Sequence, residues 1–211
     1  MAKIVLDEQS YPSTPSSGTG VIFVDSTASL PSFTNDAGKS GVLYGASFNC
    51  SIASQGAGFS SDTYVTDSDI LIPSFGLQAR TNILWMISAS KTAASTATPV
   101  YTIRIGANKT TADTAVLALT GPAQTAAADI GILTIMLTVR SVSASGVVQG
   151  TANWSHDTAA GGFANNDSGS VQGTSAGFNN SAMGGQYIGL SINGGASAAW
   201  TLTQVRVEAA W

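Results

Sequence analysis

The chain has 211 residues, enough for one generous all-β domain or for one domain with an extended arm, and too few for two well-cored domains. Only 9% of its residues are charged, against about 25% in an average soluble domain. Its 12 acidic and 8 basic residues are too few to cover several amphipathic helices, so the composition favours β structure. A net charge of -4 provides no basic surface for phosphates, which argues against direct nucleic-acid binding.

The single cysteine and the N-terminal residues restrict the class of protein further. Cys50 has no second cysteine with which to form an intrachain disulfide, and we expect it to be a small buried residue. The segment "MAKIVLDEQS" has an apolar run of three residues followed by two acids, which is not the pattern of a secretion signal. No apolar run approaches the roughly 18 residues that span a membrane, so we expect no membrane insertion.

The first 40 residues read as an N-terminal arm and attachment segment. Two prolines and two glycines interrupt the hydroxyl-rich segment "SYPSTPSSGTG", residues 10–20, so regular structure is not expected there. The segment "VIFV", residues 21–24, predicts a short strand. We interpret "DSTASLPSFTNDAGKSG" as a turn-rich return to the main domain, with the turn itself at Asn35, Asp36 and Gly38.

Alternating apolar and polar residues predict strands from residue 42 to the end. The clearest case is "GILTIMLTVRS", in which four apolar side chains point to one face and Thr134, Met136, Thr138 and Arg140 to the other. The segments "YTIRIG" and "YIGLSIN" alternate in the same way. The inward-facing residues predicted in these three strands are Leu133, Ile135, Leu137, Val139, Tyr101, Ile103, Ile105, Ile188, Leu190 and Ile192.

Two other strands carry more specific predictions. The segment "NILWMIS", residues 82–88, is apolar on both faces, which suits a strand central to a sandwich or one that faces another subunit. In "WTLTQVRV" the apolar face shifts from Trp200 and Leu202 to Val205 and Val207, which predicts a bulge near Thr203 and Gln204.

About eight or more strands without a convincing helix predict an all-β fold, an antiparallel β-sandwich, with a jelly roll as the first choice of topology. We assign residues 1–40 to the arm and residues 41–211 to this sandwich. A Gly- and Asn-rich segment at about 158–186 contains the similar pieces "GGFANN" and "AGFNN" and predicts a long loop that leaves the sandwich.

Nucleotide binding is suggested only superficially by the Gly-Lys-Ser of "TNDAGKSG". A phosphate-binding loop needs a glycine five positions before the Gly-Lys, and that position is Phe33. It also needs a helix after the loop, where "VLYGASFNC" predicts a strand. We therefore interpret Lys39 as a solvated turn residue.

Enzymatic and metal sites have little support in the sequence. His156 is the only histidine and lies near no nucleophile motif, and no pair of carboxylates of the kind that glycosidases use is evident. Asp62, Asp67 and Asp69 offer oxygen ligands for Ca²⁺ but lack the glycine and glutamate of a calcium loop. We expect no enzymatic activity, no cofactor and no bound metal.

A glycan-binding surface stays open as an alternative, because it requires only exposed aromatic rings and amide partners for hydroxyl groups. The competing interpretation is that the aromatic residues anchor a long loop to the core or fill a subunit interface. The candidate glycan-binding residues are Trp154, His156, Phe163, Asn165, Asn166, Phe178, Asn179 and Asn180.

Two segments resemble bacteriophage virion appendage proteins, namely head and tail fibres, collar proteins and decoration proteins. The first is the arm, with its "PSSG" segment, its short apolar strand, "VDST" and the "NDAGK" turn. The second is residues 98–150, where a strand ending in Ile-Gly, the "TTADTAVL" crossing and a long alternating strand are similar to phage jelly-roll domains.

This resemblance implies a virion structural protein that is assembled in the host bacterial cytoplasm, forms a homotrimer and docks on the capsid, collar or tail through its arm. A host-receptor or glycan-binding adhesin module of a tail fibre is the alternative. The expected partners of a virion structural protein are copies of itself and other virion proteins. The adhesin alternative adds a host surface glycan. The candidate docking residues are Tyr11, Pro12, Pro15, Val21, Ile22, Phe23 and Val24.

Overall fold

The computed structural model of the chain describes residues 8–9, 12–25, 30–35, 40–42, 46–92, 95–156, 161–164 and 170–211. Within these ranges the secondary structure consists of 16 β-strands and connecting turns, without a helix, so the prediction of an all-β fold is confirmed. The strands are β1 Glu8–Gln9, β2 Gly20–Asp25, β3 Leu30–Asn35, β4 Ser40–Val42, β5 Ala46–Ser51, β6 Gln55–Gly58, β7 Thr63–Tyr64, β8 Ile70–Leu71, β9 Asn82–Lys91, β10 Val100–Gly106, β11 Thr114–Thr120, β12 Asp129–Ser141, β13 Val147–His156, β14 Val171–Thr174, β15 Tyr187–Asn193 and β16 Trp200–Ala210.

Two antiparallel sheets pack against each other to form the main domain. The larger has seven strands in the order β14-β13-β12-β9-β16-β5, with β6 also paired to β16. The smaller has five strands in the order β11-β10-β15-β7, with β8 also paired to β15. The antiparallel sandwich is therefore confirmed, while its jelly-roll topology stays a prediction.

The core lies between these sheets and is filled by the side chains that alternation predicted to face inward. On β12, Leu133, Ile135, Leu137 and Val139 are buried, as are the predicted inward residues of β10 and β15. Burying each such side chain stabilises the fold by about 1.5–3 kcal/mol. The sheets approach closely at Gly150 of β13, where an added Cβ would lie 2.7 Å from a methyl carbon of Leu117 on β11.

The strand that is apolar on both faces, β9, lies at the centre of the seven-stranded sheet between β12 and β16, as predicted. Its inward residues Ile83, Trp85 and Ile87 are fully buried in the core. Its outward residues Leu84 and Met86 remain partly exposed. The five-stranded sheet thus covers only one of the two apolar faces of β9.

The predicted bulge in β16 is confirmed. Leu202 pairs with Ala89 of β9, and the next residue of β9, Ser88, pairs with Gln204, so Thr203 is an extra residue in β16. This single insertion allows Leu202 and Val205 to face the core although three positions separate them.

The N-terminal segment contains more regular structure than the sequence predicts. Strands β1 to β4 form a four-stranded sheet, in which β1 pairs with β2 in parallel and the other pairs are antiparallel. The segment interpreted as a turn-rich return contains β3. Pro31 of β3 pairs with Val24 of β2 and lies outside the part of β3 that pairs with β4. Residues 36–39, which hold most of the predicted turn, lie outside the described residues.

The Gly- and Asn-rich segment at 158–186 is likewise partly regular. Strand β14 lies inside it and extends the seven-stranded sheet next to β13, and Phe178 forms an isolated bridge with Gly146. Val171 is the only apolar residue of β14, so periodicity provided no signal for this strand. Residues 157–160 and 165–169 of the surrounding region lie outside the described residues.

The bulge leads to a prediction about two single-residue deletions in β16. Removing Thr203 leaves Leu202 and Gln204 as consecutive partners of Ala89 and Ser88, so every later side chain keeps its face, and we expect a loss of less than about 2 kcal/mol. Removing Arg206 instead turns Val207 outward and Glu208 into the core, and we expect that variant not to fold. Urea unfolding followed by circular dichroism compares the two, and equal damage from both deletions would show that Thr203 is not the extra residue.

Candidate functional site

The aromatic residues proposed for glycan binding lie inside the sandwich. Trp154 of β13 is 3% exposed and Phe163 is fully buried. Their rings stack with centroids 4.0 Å apart, and the ring of Trp200 packs edge-on against both. The expectation that these rings form an exposed platform is wrong, because Trp154 occupies an inward position of β13 and Phe163 covers it. The competing interpretation, that they anchor the loop to the core, agrees with this packing.

The polar atoms of these tryptophans have buried partners. Trp154 Nε1 donates a hydrogen bond to Tyr101 Oη at 2.6 Å, and Trp200 Nε1 donates to Gln124 Oε1 at 2.9 Å. The Gln124 amide in turn donates to the carbonyl of Gly194 at 2.6 Å. Burial raises the pKa of Tyr101, so its phenol stays neutral inside the core. The aromatic cluster is therefore fully integrated into the fold.

A buried charged pair lies beside the aromatic cluster. Lys91 at the end of β9 faces Asp129 at the start of β12, directly across the sheet, and both residues are buried. The Lys91 ammonium donates to the carbonyls of Thr125 and Gly162. Burial lowers the pKa of Lys91, and the charge of Asp129 opposes this effect.

Asp129 connects this pair to residues 161–164. Its Oδ1 accepts a hydrogen bond from the N–H of Ile130 at 2.8 Å, and its Oδ2 accepts one from the N–H of Phe163 at 2.9 Å. Thr125 adds a hydrogen bond from its hydroxyl to the carbonyl of Gly161. The charged pair and its neighbours therefore hold the backbone around Phe163 against the end of the sandwich.

His156, the only histidine, is buried in the same region. Its Nδ1 lies 3.1 Å from Asp129 Oδ2, but neither ring nitrogen makes a hydrogen bond with acceptable geometry. A catalytic pair of this type needs a nucleophile within hydrogen-bonding distance of the second nitrogen, and the described residues place none there. Burial of the ring also makes His156 a poor partner for a sugar on the surface.

The remaining glycan-binding candidates differ in their exposure to solvent. Asn180 is fully buried, and its side chain accepts from the N–H of Ser143 and donates to the carbonyl of Ser141, each at 2.9 Å. Phe178 is half-buried and Asn179 is exposed. Asn165 and Asn166 lie outside the described residues. The candidates that the structure describes are therefore not brought together on one accessible surface.

Two of the three acidic residues considered for Ca²⁺ form ion pairs with different basic side chains. Asp62 pairs with Arg104, and Asp69 lies 2.8 Å from the ammonium of Lys109. The hydrogen bond that the Lys109 ammonium donates to Asp69 raises the pKa of Lys109, and partial burial opposes the rise. The described part of the chain contains no group of three His, Cys, Asp or Glu residues arranged to hold a metal ion.

A small pocket of about 250 Å³ lies beside Asp69 and is bounded by Phe48, Asn49 and Tyr187. Several of its polar groups are already paired within the chain. Asn49 donates to the carbonyl of Asp69 at 2.9 Å, and the Lys109 ammonium lies over the ring of Tyr187, 3.9 Å from its centroid. These contacts join β5, β8 and β15 at one edge of the sandwich.

Cys50 is exposed, so the prediction that it is buried is wrong. It lies on β5 opposite Arg206, on the outward side of the seven-stranded sheet. Phe48 projects from the same side of β5, while Ser51 is buried. The apolar residues of this strand point outward, which reverses the usual pattern on which the prediction depended.

The candidate docking residues of the N-terminal sheet lie on opposite faces. Ile22 is 55% exposed and lies directly across from Phe33, which is also exposed. Phe23, on the other face, is buried opposite the buried Ser32. The half-buried candidates are Pro12, Pro15, Val21 and Val24, and Tyr11 lies outside the described residues.

Phe33 is an exposed apolar residue that the sequence analysis did not select as a docking candidate. The interruption by Pro31 hid the alternation of β3, and Phe33 was considered only as the residue that replaces a glycine. Its alternation with the buried Ser32 and Thr34 was the signal that could have identified it.

A comparison of the sequence with known protein families and with curated proteins finds no match. Within the part of the chain that the structure describes, no helix is long and apolar enough to cross a membrane.

The buried charged pair leads to a prediction about stability. Exchanging Asp129 for Asn keeps the shape of the side chain but leaves the Lys91 ammonium buried without a counter-charge, and we expect a loss of about 3 kcal/mol. The control is Asp67→Asn, in a turn with φ of 58°, a conformation that Asn tolerates, so its effect is expected to stay within about 0.5 kcal/mol. Urea unfolding measures both, and an Asp129→Asn variant as stable as the control would contradict the role of this pair.

Proposed function

We propose that this chain is a bacteriophage virion structural protein of the decoration or fibre type, which docks on the particle through its N-terminal sheet and projects the sandwich. The observation that carries the proposal is the separate N-terminal sheet. Its strands β1 to β4 pair only with one another among the described residues, and it presents Ile22 and Phe33 to solvent. A docking unit of this kind joins a particle protein without disturbing the core of the sandwich.

The exposed pair of the N-terminal sheet has the chemistry of a docking surface. Ile22 and Phe33 are direct cross-strand neighbours, so their side chains form one apolar contact area. β4 has β3 as its only partner strand among the described residues, which leaves its other edge for strand addition by another protein. Apolar burial and strand pairing together account for attachment without a charged interface.

The sandwich suits a subunit that contacts copies of itself. One face of its seven-stranded sheet packs on the five-stranded sheet, and the other keeps exposed apolar side chains, among them Met86 and Met136. We include a homotrimer in the proposal, on the resemblance to phage appendages. The proposed role is structural and requires no cofactor.

The burial of the aromatic candidates weakens the support for the alternative role, a glycan-binding adhesin module. Its two main aromatic residues, Trp154 and Phe163, are buried, and only Phe178 and Asn179 among the described candidates offer accessible groups. A sugar site built on these two residues alone lacks a full ring face, which is the main source of contact energy in such sites.

The docking role predicts that replacing both exposed residues of the N-terminal sheet removes the chain from particles. The double variant Ile22→Ser, Phe33→Ser loses about 3 kcal/mol of apolar contact energy, or roughly a hundredfold in affinity. The measurement is the copy number of the chain in gradient-purified phage particles, obtained by quantitative mass spectrometry.

The control is Ile52→Ser, which changes an apolar side chain that is even more exposed but lies just after β5, outside the N-terminal sheet. We expect it to enter particles at the wild-type copy number. Wild-type chain missing from purified particles would reject the virion role. Unchanged incorporation of the double variant would reject only the assignment of the docking surface.

A further inference from the structure

The outward side of the seven-stranded sheet carries an exposed apolar surface, which we call the outer face. It is formed by the outward side chains of β5, β16, β9, β12 and β13. Phe48 is 77% exposed and Ile130 is 65% exposed, and the others are exposed by about two-fifths or are half-buried. The apolar members of the outer face are Phe48, Leu84, Met86, Ile130, Ile132 and Met136.

Strand register places these side chains next to one another. Leu84 lies opposite Met136 on one side and Glu208 on the other, and Glu208 lies opposite Phe48. Ile132, two residues along from Thr134 on β12, lies opposite Ser88. The apolar residues therefore extend diagonally across the sheet, from Phe48 at β5 to Ile132 and Ile130 at β12.

The outer face has the size and composition of a homotypic interface. From their exposed fractions, its apolar side chains expose about 500 Å² in total, which is large for a monomer surface, with Glu208 between Phe48 and the other members. A stable interface buries about 800 Å² per partner, of which about 65% is apolar in homodimers, or roughly 500 Å². The patch supplies the apolar area that such a contact needs.

A groove and a projecting ring make the outer face self-complementary. A groove of about 640 Å³ lies at the β12 end, with Ile130 and Ile132 among its walls and Ser88 and Ser90 from β9. Phe48 projects from the other end of the face. Three strand spacings and four residue steps place Phe48 about 20 Å from Ile132. A contact between copies around an axis at the centre of the face brings each Phe48 to the groove of its neighbour.

Charge on the outer face also permits contact with an identical surface. Arg206 and Glu208 lie side by side on β16 and form an ion pair of 2.8 Å, so they neutralise each other within one chain. Among the described outward positions of the seven-stranded sheet, the other charged side chain is Arg140 at the end of β12, which donates a hydrogen bond to Gln149. Two copies of such a face meet without bringing a large like charge together.

We propose that the outer face binds a second copy of this chain, with Phe48 of each copy seated in the groove of its neighbour between Ile130 and Ile132. Met86 and Met136 then lie near the symmetry axis, where their flexible side chains fill the contact. This proposal names the surface through which copies meet. It stands independently of the virion role, because it depends on the geometry of the sandwich alone.

The first test measures the oligomeric state of the full chain by light scattering after size-exclusion chromatography, at concentrations from about 1 to 100 μM. We expect the wild type to form a dimer or trimer, and Phe48→Ser and Met136→Lys to shift the midpoint of association by at least tenfold. Ala118→Lys, at an exposed position of β11 on the five-stranded sheet, is the control and keeps the wild-type state. A monomeric wild type over the whole range, or variants that associate as the wild type does, would overturn the proposal.

The second test uses the native Cys50 as a probe and requires no change in the outer face. Cys50 is exposed in the single chain and lies on β5 two residues from Phe48. We expect its reaction with a maleimide to slow at least tenfold as the wild-type concentration rises through the association midpoint, and to keep one rate in Phe48→Ser. A labelling rate that does not depend on wild-type concentration would place the contact elsewhere and overturn the proposal.

Discussion

The structure depends on the packing of one sheet face, the inward face of the seven-stranded sheet, on the five-stranded sheet. Strands β9 and β12 supply most of the buried aliphatic side chains on one side, and β10 and β15 supply those on the other. Because side chains alternate along a strand, burying one face of β9 necessarily directs Leu84 and Met86 to the opposite face. The outer face is therefore a direct consequence of the same alternation that builds the core.

Buried polar groups hold the connecting segments against one end of the sandwich. Lys91, Asp129 and Gln124 are buried, and each binds backbone groups of segments that connect the strands. Their hydrogen bonds act together with the stacking of Phe163 on Trp154. Two buried opposite charges such as Lys91 and Asp129 contribute little net stability compared with an apolar replacement, but they fix one arrangement of their neighbours, since leaving either charge uncompensated is costly. This cluster has the properties of an anchor for the segment around Phe163.

Much of the fold could be predicted from the sequence, because alternation and composition are local properties. The inward residues of β10, β12 and β15, the central position of β9 and the bulge at Thr203 all followed from the phase of apolar residues. The N-terminal sheet was missed because Pro31 and the hydroxyl residues around it obscure the alternation of β3. Strand β14 was missed because its pairing depends on a neighbouring strand and not on its own side chains.

The candidate sites were harder to predict, because they depend on which residues meet in space. The sequence offers Trp154 as an aromatic candidate for a sugar site, but only the covering by Phe163 shows that its ring is unavailable to a ligand. The contact between Lys91 and Asp129 requires the register of β9 and β12, which no local pattern specifies. The outward orientation of Cys50, like that of Phe48, opposes the usual rule for apolar residues, which is why the sequence-based prediction of a buried Cys50 is wrong.

The seven-stranded sheet has two apolar faces. The five-stranded sheet covers the inward face, and we propose that other copies of the chain cover the outer face. A cryo-electron microscopy or crystal structure of the assembled chain tests this most directly. We expect the Phe48 ring to lie between Ile130 and Ile132 of a neighbouring copy, with Met86 and Met136 enclosed near the axis. An assembly in which these side chains remain in solvent would contradict it.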